Sequence, residues 1–301
     1  RGRYEVFAPA NADSYSLGGK HVPVHWITDQ KESPHFRTRK GSGRVDEKSV
    51  LPPSLSFSVL LPGYPQMSYL GFLLLFVGIP LLLLLFLTFL FRRLDGTKLK
   101  GVLLLCVVAL VYTTPWDNYL VMREIWTYPE GVVLGTIGYV PIEEYLFMIM
   151  QTALVGLAWC FLKLETCHER LRFSMSGVVL ALMLGATGMI CLSYEKGTYA
   201  GLILTWASLP LLLQWGCGMR ILSATFRQWF PLWLGFSIYL SVADHFAVGK
   251  GIWVLPPETR SGWEIGILPV EEALFFALTN LFVVQGLTLW NRWMRMKNAT
   301  D

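Results

Sequence analysis

Seven predominantly apolar runs divide the chain between about residues 68 and 290, at 68–91, 101–122, 140–162, 173–193, 199–220, 229–248 and 268–290. Each is close to the roughly 20 residues that a helix needs to cross the hydrocarbon core, and none alternates with the two-residue period of a membrane β-strand. The pattern predicts an all-α polytopic membrane protein with about seven transmembrane helices. The first run, from Ser68 to Phe91, contains no charge, and Pro80 at its middle predicts a kink whose freed backbone groups neighbouring helices must satisfy.

Residues 1–65 differ in kind. They are polar, with scattered Gly, Ser and Pro and no sustained hydrophobic period, and are expected to form a flexible extension. The numbering begins at Arg1 rather than Met, which fits a processed or truncated leader, although the segment's acidic residues depart from a plastid transit composition. A plastid membrane and a prokaryotic cell membrane both remain open. His21 and His25 stand four apart but without a helical pattern that would make them a metal face. Residues 66–293 form the expected membrane domain, and 294–301 a short polar tail.

Within that domain the chain repeats itself. Pro141-Ile142-Glu143-Glu144 recurs as Pro269-Val270-Glu271-Glu272, with Asp117 upstream of the first copy and Asp244 upstream of the second. Ile125-Trp126 matches Ile252-Trp253, Pro129 matches Pro256, and after a one-residue slip Ile137-Gly138 and Leu146-Phe147 match Ile265-Gly266 and Leu274-Phe275. Internal repetition argues that the acids belong to a duplicated unit. Two three-helix repeats, 68–162 and 199–290, joined by one linking helix, run parallel to each other. Both acidic clusters then lie at the same face of the membrane.

Charge supports that topology. Hydrophobic residues make up 53% of the chain, charged residues 15%, and the mean hydropathy is +0.47, too apolar for an ordinary soluble surface. Lys and Arg collect after spans one, three, five and seven (Arg92, Arg93, Lys98, Lys100; Lys163, Arg170, Arg172; Arg220, Arg227; Arg292, Arg295, Lys297), whereas the intervening loops hold Arg123, Lys196, Lys250 and Arg260. The net charge of +4 is thus a topology signal and not a nucleic-acid footprint. The cysteines, Cys106, Cys160, Cys167, Cys191 and Cys217, form no C-x-x-C pair and read as small hydrophobes.

Ionisable groups beside membrane spans are costly, which makes the duplicated acids functional candidates. Pro141 and Pro269 are expected at the first helical position, with the Glu pair in the first turn. That is also how an ordinary helix start looks, since carboxylates favour the positive end of the dipole by roughly 0.3–1 kcal/mol. The duplication with an upstream Asp favours chemistry. Only one Glu of each pair can face inward, and a helical face shared by positions 143 and 147 would put Glu143 near Phe147 and Glu271 near Phe275.

The stretches TTPWDNYLV (113–121), IWTYP (125–129), G-x-x-PIEEYLF (138–147) and GWEIGILPVEEALFFALTNL (262–281) closely resemble the integral-membrane lycopene cyclase family, known as paired small subunits in bacteria and as fused forms in archaea and fungi. The resemblance covers residues 68–290, both halves in order. It implies an isomerase of carotenoid biosynthesis that closes the linear ψ ends of lycopene or a related acyclic carotenoid into ionone rings. It also implies an apolar substrate drawn from the lipid membrane and, as neighbours, other carotenoid-pathway enzymes. The fungal forms carry a phytoene synthase after the cyclase; the chain given ends at Asp301, and that activity is not expected. Ser241-Val242-Ala243 stands where the first copy has Thr114-Pro115-Trp116, which would make the two sites unequal.

The residues suit such chemistry. Ring closure needs a proton delivered to an alkene, a shielded carbocation and loss of a second proton, with no net redox change. Asp117, Glu143, Glu144, Asp244, Glu271 and Glu272 are the candidate acids and bases, since burial and like-charge pairing both favour the protonated carboxyl. Trp116, Trp126, Tyr145, Phe147, Trp253, Phe275 and Phe276 are candidate aromatic faces for the cation, at roughly 0.5–2 kcal/mol each, although Trp and Tyr near helix ends are also ordinary interfacial anchors. No cofactor is expected: the Gly pairs at 41/43, 216/218 and 249/251 lack the third Gly of a dinucleotide fingerprint, and there is no His-rich cluster for a metal. An intramembrane E-E-x-x-x-R protease would need Arg at Met148 or Phe276, and a retinal protein would need a Schiff-base Lys in 268–290. A proton-coupled transporter built from two repeats is the remaining alternative.

The topology has a direct consequence. In a cysteine-free background, single cysteines at positions 130 and 97 should be labelled by an impermeant reagent from opposite sides of the membrane; labelling of both from one side would contradict the span count.

Overall fold

In the computed structural model, residues 14–17, 20–23, 67–162 and 169–298 are described. The chain divides into two units, residues 1–60 and 61–301. In the first, β1 (Ser14–Leu17) pairs antiparallel with β2 (Lys20–Pro23). His21 lies in β2; His25 and most of the extension expected to be flexible lie outside the described residues, as do Lys163 and Cys167.

The second unit contains, among the described residues, seven long helices at the seven expected places. These are α1 (Tyr69–Leu90), α2 (Gly96–Met122), α3 (Ile142–Trp159), α4 (Met175–Cys191), α5 (Thr198–Ala224), α6 (Phe226–Gly249) and α7 (Val270–Lys297). Five of them, α1, α2, α5, α6 and α7, are long and apolar enough on their own to cross a membrane. α4 is a shorter apolar helix, and α3, 18 residues long with two acids in its first turn, reaches about 27 Å at 1.5 Å per residue. α7 continues through Arg292 and Arg295 to Lys297, into the stretch expected as a tail.

Local sequence accounts for the helix boundaries. Ser68, Asp95 and Ser174 cap α1, α2 and α4 by accepting the backbone N–H of Gly71, Lys98 and Gly177. Pro80 acts through a π-helical stretch, Leu74–Gly78, that immediately precedes it, so the proline enters near the start of the α-helical remainder. Pro141 and Pro269 stand one residue earlier than expected, as N-caps of α3 and α7. Each closes a two-stranded hairpin, β3 (Thr136–Ile137) with β4 (Val140–Pro141) and β5 (Glu264–Ile265) with β6 (Leu268–Pro269).

The two repeats are parallel. Thr127 and Val254, equivalent residues of the loops after α2 and α6, exchange both backbone hydrogen bonds, at 3.0 and 2.9 Å, and so hold the two loops together at one end of the bundle. Tyr69 N–H donates to Val132 O and Tyr199 N–H to Thr259 O, both at 2.9 Å, again at matching positions.

The bundle turns its polarity inward. Leu82, Leu83, Phe86 and Phe89 of α1 and Val107, Val108 and Val111 of α2 are exposed, while Gln151, Asn280, Gln285 and Thr288 are buried. Across the centre α3 meets α7 through Gln151 Nε2 to Asn280 Oδ1 at 2.7 Å and Trp159 Nε1 to Thr288 Oγ1 at 3.1 Å. Such bonds hold helices together where lipid offers no hydrophobic drive. The linking helix α4 packs on α5 by small residues instead: Gly188 and Gly201 approach so closely that a Cβ on either would stand 2.9–3.0 Å from the other's carbonyl oxygen. Gly188→Leu should therefore destabilise the solubilised protein by about 1–3 kcal/mol, read as a lower midpoint of thermal unfolding, whereas Gly235→Ala, inside a helix with open space at its Cβ, should keep or raise the midpoint.

Candidate active site

Each acidic cluster is assembled by its hairpin. The two-residue turn between the strands has Gly138 at φ +67° in the first copy and Gly266 at φ +70° in the second, a region open to glycine at little cost. Asn118 and His245 pack directly beneath these glycines, leaving no room for a side chain there, and Asn118 Oδ1 accepts the Tyr139 N–H at 3.0 Å. The hairpin is thereby pressed onto the end of α2 or α6. Asp117 and Asp244, one residue before, are buried in the bundle.

The six carboxyls fall into two sets. Glu143 and Glu271 turn back toward the loops: Glu143 Oε1 accepts the Leu134 N–H at 2.8 Å, and Glu271 Oε1 accepts the Ser261 N–H at 2.7 Å. Both are wholly buried, and in both the second oxygen, Oε2, has no hydrogen-bond partner. Glu144 and Glu272 turn inward. Glu144 accepts the Tyr128 hydroxyl at 2.7 Å, with Tyr69, stacked on Tyr128, beside the same carboxylate. Glu272 accepts the Tyr199 hydroxyl at 2.7 Å and Trp126 Nε1 at 3.2 Å. Asp117 interacts with Glu144 and Glu272, and Asp244 with Glu272 and Glu144. The four inner carboxyls therefore form one cluster. Both Asp244 oxygens are buried without a hydrogen-bond donor in place. Burial, reinforced by the neighbouring Glu144 charge, holds the Tyr128 hydroxyl well above the ordinary phenol value of 10.0, so it remains a donor.

The cluster stands between two cavities. A chamber lined by Tyr69, Trp126, Tyr128, Trp253 and Phe276 holds Glu144, Asp244 and Glu272. A longer channel holds Asp117 and Glu144 and runs down between α2, α3, α5 and α7 past Tyr112, Trp206, Gln151 and Pro210 to Leu105 and Gln214. Glu144, Phe147 and Phe275 line both, so the channel and the chamber share a wall beside the acids. The tryptophans are exchanged between repeats. Trp126 of the first meets Tyr199 and Glu272 of the second, and Trp253 of the second packs against Tyr69 and Phe72 of the first at 5.1 and 5.3 Å.

The two halves are unequal, as the departure at 241–243 implies. Ala243 lines the chamber, but its counterpart Trp116 fills the matching space, stacked on Trp206 at 4.7 Å and on Phe275 at 5.8 Å. Tyr128 likewise has Leu255 as its counterpart.

Of the aromatic residues singled out in the sequence, Trp126, Phe147, Trp253, Phe275 and Phe276 line the cavities. Trp116 stands behind Phe275, and Tyr145 lies apart, its hydroxyl donating to Ile137 O of the hairpin. The acid sharing a cavity with Phe147 is Glu144, not Glu143, and Glu272, not Glu271, shares one with Phe275; positions three apart share that face here. Tyr69, Tyr128, Tyr199 and Trp206 were not anticipated. A signal existed for two of them: Ser68-Tyr69-Leu70-Gly71 and Thr198-Tyr199-Ala200-Gly201 open the first helix of each repeat with the same pattern.

A lycopene beta-cyclase of Halobacterium salinarum is 40% identical to the chain over 228 residues, covering 74% of the chain and 95% of the relative. Bifunctional lycopene cyclase/phytoene synthases of Aspergillus niger and Gibberella fujikuroi are 37% and 36% identical over 198 and 213 residues, covering 61% and 66% of the chain. The chain spans about a third of the length of those fungal relatives, 34% and 35%. No protein-family model and no solved structure matches it.

The outward-turned acids generate a test. Glu143→Ala and Glu271→Ala remove the acceptor of a part-buried hydrogen bond from the Leu134 or Ser261 N–H, at a cost of about 0.5–3 kcal/mol. Amide exchange at Leu134 and Ser261 should accelerate by about tenfold or more, while the Gln variants, which keep an acceptor oxygen, should exchange nearly as the parent does.

Proposed function

The chain belongs to the lycopene cyclase family, sharing 40% identity with a member that it covers almost end to end, and on that premise we propose that it closes the ψ ends of lycopene into β rings. The observation that carries this reading is the cluster of four inner carboxyls shared between an aromatic chamber and an adjoining apolar channel. The β ring is taken from the name of the archaeal relative. The relatives lend no support to a transporter.

The end group enters from the channel and folds in the chamber. A carboxylic acid adds its proton to the terminal double bond, leaving a tertiary cation on the dimethyl carbon. The electrons of the next double bond close a six-membered ring onto that carbon, and the charge moves to the methyl-bearing carbon at the bond's far end. Loss of a proton from the ring carbon that made the new bond leaves the β ring. One proton is gained, one is lost, and no electrons are transferred.

Asp244 is suited to the acid role, because it is buried beside Glu272 and neither of its oxygens has a donor placed at hydrogen-bonding distance. Glu272 is suited to the base role, because Tyr199 and Trp126 donate to it and favour its carboxylate. Glu144 and Asp117, where the channel meets the chamber, stabilise the cation electrostatically and complete the proton inventory. Trp126, Phe147, Trp253, Phe275 and Phe276 present aromatic faces to it and keep water out. Trp116 supports Phe275, Tyr145 holds the hairpin, and Glu143 and Glu271 fix the loops that carry the tryptophans.

Expression in lycopene-accumulating cells, followed by pigment chromatography, tests this directly. The parent should yield cyclic carotenoid. Asp244→Asn, Glu272→Gln and Glu144→Gln should reach the membrane but lose about 10²–10⁴-fold in rate, the range for removal of an acid or base. Cyclisation in heavy water should place deuterium in the product, because the carboxyl protons exchange with water between turnovers. Full activity in all three variants, or a product without deuterium, would defeat the mechanism.

A further inference from the structure

The channel is shorter than the substrate it is proposed to serve. Along α2 it extends from Asp117 to Leu105, about 18 Å at 1.5 Å per residue. There it stops, because Leu105 and Gln214 pack directly on Gly286 of α7 and bring the three helices together. Lycopene, extended, is roughly as long as the hydrocarbon core is thick, about 30 Å. A chain with one end at the acids therefore cannot lie wholly inside.

Its way out is on the side. Near the chamber, α2 and α5 are tied across by Tyr112 Oη donating to Trp206 O at 2.6 Å and Trp116 Nε1 donating to Leu202 O at 3.2 Å. One turn below Tyr112 the channel wall consists of Val108 and Ala109 on α2 and Pro210 on α5. Val108 belongs to both surfaces: it lines the channel and is 48% exposed on the outside of the bundle, between the exposed Val107 and Val111. The channel thus reaches the lipid-facing side of the bundle at this level.

Resting on the cyclase reading, we propose that the channel binds one half of a linear carotenoid while the other half leaves between α2 and α5 into the lipid. The mouth is framed by Val108, Ala109 and Pro210. Two properties follow. The protein does not read the far end of the molecule, ring or open. Because the chain must be withdrawn and reversed to present its second end, the two rings form in separate binding events, and a one-ring carotenoid is released between them.

Two arms test the proposal in membranes or lipid vesicles. In the first, labelled lycopene is given to the parent protein and chased with excess unlabelled lycopene. Label should remain in the one-ring product, and kcat/KM for a one-ring carotenoid should be about half that for lycopene, the statistical factor for one open end against two equivalent ends. Passage of the label straight to the two-ring product despite the chase would overturn the proposal. In the second arm, Ala109→Trp and Val108→Trp fill the mouth. Each should cut lycopene cyclisation by about tenfold or more while keeping most activity on a truncated carotenoid with one ψ end, short enough to lie inside the channel. Unchanged lycopene turnover in both variants, or equal loss of both substrates in variants that retain helix content, would refute the mouth. A parent protein that cyclises neither substrate would refute the cyclase reading itself.

Discussion

A carboxyl group inside a membrane bundle must find its hydrogen bonds within the protein, and the organisation of this chain follows from that constraint. Six acids, five of them buried and Glu144 half-buried, lie at or near one end of the helices, where water cannot serve them at low cost. Two are satisfied in part by backbone N–H groups of the loops that precede them, and two by phenol and indole donors from other helices and loops. The loops are therefore not free connections. Each folds back into the bundle because its amides and aromatic side chains are the partners that the acids require.

That folding back also joins the repeats. The mutual hydrogen bonds of Thr127 and Val254 bring the two loops together, and each loop extends its tryptophan into the other repeat. The second repeat does not own all the groups around its glutamate: Glu272 takes Trp126 from the first, whereas Glu144 takes Tyr128 from its own. The halves differ where Trp116 fills a space that Ala243 leaves to the chamber.

The proposed acid and base roles rest on the same economy of donors. Glu272 receives two, Asp244 none that is in place, although the two side chains interact. Neighbouring carboxyls in such different surroundings suit the proposed division of labour, proton addition at one carbon and removal at another.

Much of this was legible in the chain itself. The seven apolar runs are the seven helices, the parity of the repeats places both acidic clusters at one end, and the family resemblance, carried by unbroken motifs, agrees with the relatives found. Hydrophobic length and internal repetition are properties of the chain alone, which is why they survive translation into structure. The facing of Glu143 and Glu144 was not legible. A helix start leaves the rotation of its first turn undecided until a loop amide, here that of Leu134, captures one of the two side chains. Nor was the service of Tyr199 and Trp126 to Glu272, from 73 and 146 residues away. Pairings across helices depend on which faces pack together, and that was decided by the tertiary structure, through the small-residue contacts of α4 with α5 and the polar contacts of α3 with α7.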